Sequence, residues 1–147
     1  MSAELPEDIY EQVKALCAEG DAWAEQGEFD DAVEEYFSAL ALLPEPKTRW
    51  EASTWVLTAI ADAHFNQDDF KGARDHMALA ILCPGAVGNA FVHLRLGQCL
   101  FELGEKDAAA EELSRAYKAG GSEVFEDDDP RYFAFLMTRM EPPAEGW

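Results

Sequence analysis

Three stretches of the 147-residue chain share one plan: "GEFDDA" at 27–32, "DDFKGA" at 68–73 and "GEKDAA" at 104–109. Residue sizes recur at fixed offsets around them. Gly20, Ala61 and Gly97 stand twelve residues before Ala32, Ala73 and Ala109. Tyr36, Met77 and Leu113 lie four residues beyond those alanines, and Ala39, Ala80 and Ala116 lie seven beyond. A small residue, a turn, then small and large residues at helical spacing suit two antiparallel helices in contact. Small side chains let the backbones approach, and the large one fills the space beside them.

Local signals agree with an all-α chain. No stretch alternates apolar and polar residues long enough to require a strand. Pro6 suits a first helical turn, and the acids beside it favour that end. Asp30 and Asp69 are expected N-caps, and Thr48 with Glu51 reads as a capping box. Pro44, Pro84 and Gly120–Gly121 end the second helix of each pair. Six helices follow in three hairpins: 6–26 with 30–43, 48–67 with 70–82, and 88–103 with 107–119. Successive hairpins are offset by 41 and then 36 residues. The longer first offset is expected to be taken up by an extended helix beginning at Thr48. Asp129 as N-cap and Pro130 at the first helical position predict a further helix over 129–140, which caps the last apolar face.

These hairpins resemble the tetratricopeptide repeat. The matching residues are Gly20, Trp23, Gly27, Ala32, Tyr36, Ala39 and Pro44 in the first copy, and Leu96, Gly97, Gly104, Ala109, Leu113 and Ala116 in the third. The second copy matches at Leu57, Ala61, Ala73 and Ala80, but Asp68 replaces the turn glycine. His93 stands where the family has a large apolar residue. The resemblance implies one α-solenoid domain over 1–147, with repeats at about 6–44, 48–84 and 88–121 and a capping helix. It also implies a concave side lined by the first helix of each pair.

Helical spacing says which residues face that side. In the third helix Leu57, Ile60, Ala61 and His64 pack on their own hairpin, and Trp55, Thr58, Asp62 and Phe65 form a separate stripe. The same offsets give Lys14, Cys17, Asp21 and Ala24 in the first helix, and Phe91, Leu94, Gln98 and Phe101, with Arg95 beside them, in the fifth. The expected partner-binding residues are Asp21, Trp50, Trp55, Thr58, Asp62, Phe65, Phe91, Arg95, Gln98 and Phe101. Trp23 is assigned to the core. Trp55 is either an exposed anchor or a contact with the capping or extended helices. Arg95 either grips a partner or pairs with Asp62 inside the groove.

Charge bounds the partner. The formal net charge is −19, from 30 acids against 11 bases. Residues 1–35 hold twelve acids and one base, and residues 101–130 hold ten acids and three bases, flanking a segment near balance. Such a field repels nucleic acid and anionic membranes and draws in basic proteins, although acids also serve solubility alone. No run of 18 apolar residues exists, and "MSAELPEDIYEQ" lacks the basic and apolar regions of a secretory signal. Cys17, Cys83 and Cys99 are odd in number with no close pair, which predicts reduced thiols and a cytoplasmic location.

No catalytic residue, cofactor or metal is expected. His64, His76 and His93 show no metal-ligand spacing, and no glycine-rich phosphate loop is present. "FEDDDP" at 125–130 lacks the alternating ligands and central glycine of a calcium loop. Cys99 has no basic neighbour in sequence to activate it. The expectation is therefore a non-enzymatic module that binds a basic or partly unfolded protein. The "CPG…HLRLGQCLFELG" stretch and composition resemble small bacterial tetratricopeptide proteins that act as immunity partners for secreted toxins. The acidic three-repeat layout also resembles cytoplasmic secretion chaperones. A scaffold using peptide tails or a second copy of itself is the remaining alternative.

Overall fold

The computed structural model describes residues 5–147, so the reading of the amino-terminal stretch as no secretory signal falls partly on residues outside the described ones. The described residues form seven α-helices and two short 3-10 turns, with no strand. Two compact units divide at Ala86 and Val87.

The first unit holds α1 (Glu7–Glu25), α2 (Phe29–Leu42), α3 (Glu51–Asn66) and α4 (Phe70–Ala80), paired as two hairpins. Small residues make the pairing possible. Gly20 is buried on α1 against the ring of Tyr36 from α2, so close that a Cβ on Gly20 would overlap the ring. Both inter-helix turns need a left-handed residue. Gly27 supplies it at φ 77°, and Asp68 supplies it at φ 61°. Aspartate tolerates that region better than most residues but gains no freedom from strain there.

The connector between the hairpins differs from expectation. Thr48 caps nothing and no helix starts there. Residues Lys47–Arg49 form a 3-10 turn, and α3 begins only at Glu51, after an extended Trp50. Burial of Trp50 dictates this path: its ring is 7% exposed, and its Nε1 donates to the Pro44 carbonyl at 2.8 Å. Lys47 donates to the Leu43 carbonyl at 2.9 Å, and the Ser53 hydroxyl donates to the Lys47 carbonyl. One apolar cluster results, joining Val13 of α1, Tyr36 and Ala39 of α2, Trp50, and Val56 and Ile60 of α3.

Capping was half legible. Asp69 accepts from the Gly72 amide at 3.0 Å, as its position predicts. Asp30 does not cap α2. Glu28 follows Gly27 in the cap position and the helix starts at Phe29, leaving Asp30 inside the first turn, where it accepts from Gln67 Nε2 at 2.9 Å. Trp23 is not core. It lies near the end of α1 and is 38% exposed.

The second unit holds α5 (Ala90–Glu102), α6 (Lys106–Gly120) and α7 (Pro130–Met137), with a 3-10 turn at Ser122–Phe125. Gly97 repeats the role of Gly20: a Cβ there would come 2.7 Å from Leu113 of α6. His93 replaces a large apolar residue by becoming part of a buried polar pair. Its Nδ1 lies 2.7 Å from Glu112, and its Nε2 accepts from the Gly88 amide at 2.9 Å. Accepting at Nε2 places the proton on Nδ1, facing the carboxylate. Asp129 caps α7 by accepting from the Arg131 amide, with Pro130 as first residue. The helix stops at Met137 rather than reaching 140, where the chain continues through Thr138–Met140 as turn.

Candidate partner-binding face

The ten expected partner-binding residues divide between the units. In the first, the stripes of α1 and α3 form an aromatic ledge. Trp55 is 41% exposed, and its ring meets Tyr10 edge-on at 5.8 Å. Lys14 stands 5.1 Å above the Tyr10 ring. Tyr10 was missed from the sequence, although it lies four residues before Lys14 and so begins the same stripe one turn earlier.

Deeper on this face the chemistry turns acidic. Asp21 is exposed and accepts from the Tyr36 hydroxyl at 2.6 Å. Burial, then the bond to Asp21, raises the Tyr36 phenol above its ordinary value, and the nearby carboxylate of Asp62 adds to this. Burial and the Asp21 charge push the Cys17 thiol up to about 11, so it is protonated at neutral pH and a poor nucleophile. Thr58, Asp62 and Phe65 are half-buried, and Phe65 packs edge-on against Phe70 at 5.5 Å. Trp50, grouped with these residues by its type, is interior and offers no surface.

The second unit presents little of what the same offsets predict. Phe91 is exposed, with the Arg95 guanidinium 5.0 Å from its ring. Arg95 is itself buried, donating to Gln98 Oε1 at 2.7 Å and lying 3.5 Å from Asp128. Gln98 is 0% exposed. Phe101 is taken up by α7, edge-on to Tyr132 at 5.5 Å and Phe135 at 5.0 Å. Gln98 is therefore interior, and Phe101 is half-buried with one side held against α7. Among the described residues no group of three or more His, Cys, Asp or Glu side chains is placed to hold a metal ion. No described helix is long and apolar enough to cross a membrane.

Paired helices, small-residue contacts and left-handed turns at constant offsets lead to one architecture, and a tetratricopeptide-repeat family model matches residues 88–124. The fold is the tetratricopeptide-repeat fold. Solved structures agree with it. The tetratricopeptide domain of Sgt2 from Aspergillus fumigatus has a TM-score of 0.65 at 22% identity, covering 97% of this chain and 89% of that one. The second such domain of human RPAP3, solved with an HSP70 peptide, gives 0.67 at 17%, covering 88% and 96%. The type III secretion chaperone SycD of Yersinia enterocolitica, solved with a peptide of the translocator YopD, gives 0.69 at 12%, covering 87% and 92%. At these identities the likeness is one of fold. No curated protein matches the sequence significantly.

Proposed function

We propose that the chain is a non-enzymatic tetratricopeptide module that binds a basic or partly unfolded protein, with Trp55 as an anchor. One observation carries the reading: a tryptophan 41% exposed on a first-helix face, beside Tyr10, with an exposed carboxylate on the neighbouring helix. Aromatic anchors dominate interface energies, and the acid excess speeds encounter with a cationic partner. The human RPAP3 domain was solved with SGPTIEEVD, which carries three acids and no lysine or arginine. Asp21 on a chain of net charge −19 disfavours a tail of that sign. The partner taken here is of opposite character.

Stoichiometric inhibition of a toxin, as in immunity proteins, is the use that composition and size favour. Holding a secreted protein before export is the second, supported by the likeness in fold to SycD with its translocator peptide. Capture from native lysate at low salt, with the recovered protein then expressed alone, separates them. Toxicity supports inhibition, and membrane insertion of a secreted protein supports the chaperone role. A stable homodimer with no basic protein recovered supports a scaffold instead. Replacing Trp55 with Ala should weaken the complex by about 2 kcal/mol, roughly thirtyfold in Kd. Raising salt from low to 0.5 M should weaken it further, and tight binding indifferent to both changes overturns the proposal.

A further inference from the structure

The second unit ends in a segment held differently from its hairpin. Helix α7 has eight residues, too few to persist alone, and only Tyr132 and Leu136 of them are buried. Besides its ring contacts and the Tyr132 hydroxyl, which donates to Glu102 at 2.8 Å, its anchors are charged groups at the rim. Arg131 bonds Glu102 and Asp129 at 2.9 Å, and Arg139 bonds Asp107 at 2.8 Å. Lys106 stands 3.5 Å above the Phe101 ring, and Arg139 lies 5.1 Å from the Phe135 ring. Exposed pairs of this kind are weak in water and weaken further with salt.

Beyond α7 the chain turns back. Gly146 adopts φ 91° and donates to the Pro143 carbonyl at 2.9 Å, which returns Trp147 onto the unit. Its indole sits edge-on to Tyr117 of α6 at 5.4 Å and to Phe133 of α7 at 5.7 Å. Phe133 in turn stacks on Phe125 at 4.9 Å. One residue thus bridges the hairpin and the short helix, and the covered surface is a row of rings.

The geometry points to residues 129–147 acting as a strap, latched by Trp147, that opens as one piece while α5 and α6 stay folded. Opening uncovers Phe101, Tyr117 and Phe125, and higher ionic strength promotes it by weakening the rim contacts. The hinge is the run Glu126–Asp129, four consecutive acids that repel one another. Asp128 lies near Arg95, Asp129 caps the helix, and the Glu126 and Asp128 amides donate to the Glu123 and Phe125 carbonyls at 3.2 and 3.3 Å.

Hydrogen–deuterium exchange on the full chain, read by mass spectrometry, tests the strap. Amides of 131–137 should exchange at least roughly tenfold faster than those of α5 and α6, as local opening requires. Trp147→Ala should raise exchange in 131–137 further, Trp147→Phe should restore much of the protection, and 0.5 M salt should act in the same direction as the alanine variant. Arg139→Gln should give a smaller rise confined to the same amides. Exchange of 131–137 in step with α5 and α6 overturns the proposal, as does loss of protection throughout 90–120 in Trp147→Ala. No change in Trp147→Ala overturns it equally.

Discussion

The first helices of the second and third hairpins occupy the same place in the repeat, and both outer stripes begin with an exposed aromatic, but the middle of the stripe is buried only on α5. On α3 that stripe begins with an exposed tryptophan, with Thr58, Asp62 and Phe65 half-buried. On α5 the equivalent positions are the exposed Phe91, then Leu94 and Gln98, both buried, and Phe101 against α7. Repeat position therefore decides which way a side chain points, and not whether anything lies over it. Around Phe101 the difference comes from residues some thirty positions later, where Tyr132 and Phe135 supply rings and Arg131 supplies a charge for Glu102.

The comparison breaks most readily by truncating one aromatic on each stripe. Phe101→Ala should cost about 3 kcal/mol of stability, because it leaves a void beneath Tyr132 and Phe135. Trp55→Ala should stay within about 1 kcal/mol, since the ring is largely outside the core. Urea denaturation of both variants checks this, and equal losses would dissolve the distinction between a filled and an open face.

The helix contacts sharpen it next. Gly20→Ala and Gly97→Ala should each cost about 2 kcal/mol by overpacking. In Gly20→Ala the Tyr36 ring must shift and strain its bond to Asp21, whereas in Gly97→Ala Leu113 must change rotamer. Tyrosine absorbance near the phenol transition reports the first change and should be silent to the second. Smaller still, Asp68→Gly should stabilise the chain by about 0.5 kcal/mol. Relief of the left-handed strain outweighs the entropy that glycine loses on folding.

Glu35 gives the least effect and a defined sign. Its carboxyl is raised, first by a hydrogen bond with Glu19, then by lost hydration and by the charges of Glu19, Glu34 and Asp31. The folded chain therefore binds this proton more tightly than the unfolded one. That stability is present in acid and is lost as pH rises through the ordinary carboxylate range to the raised folded value. Glu35→Gln should raise Tm slightly at pH 7 and leave it unchanged near pH 3.

Much of this was legible beforehand because it rests on local rules. Offsets of small and large residues specify helix contacts, Asp69 and Asp129 read as caps, and the turn positions demand a left-handed residue whichever side chain is present. The losses have a common cause. Trp50, Gln98 and Arg95 are assigned by residue type or periodicity, yet Trp50 and Arg95 have partners distant in sequence: Val13 and Tyr36 in the cluster around Trp50, and Asp128 for Arg95. Asp30 fails as a cap because Glu28, two residues earlier, holds the position that Asp69 holds in the second hairpin. Tyr10 needed only the stripe to be followed one turn further back.

The connector carrying Trp50 has a consequence for how the chain comes apart. Stacked repeats melt in a graded way when neighbours share only a thin seam. Here the indole belongs to neither hairpin but sits in the cluster that both contribute to, tied to Pro44 behind it and followed at once by α3. Neither hairpin of the first unit is able to fray without extracting it, so residues 7–80 should lose structure in a single cooperative step. A protease cut within 45–49 would then remove the fold of both hairpins together.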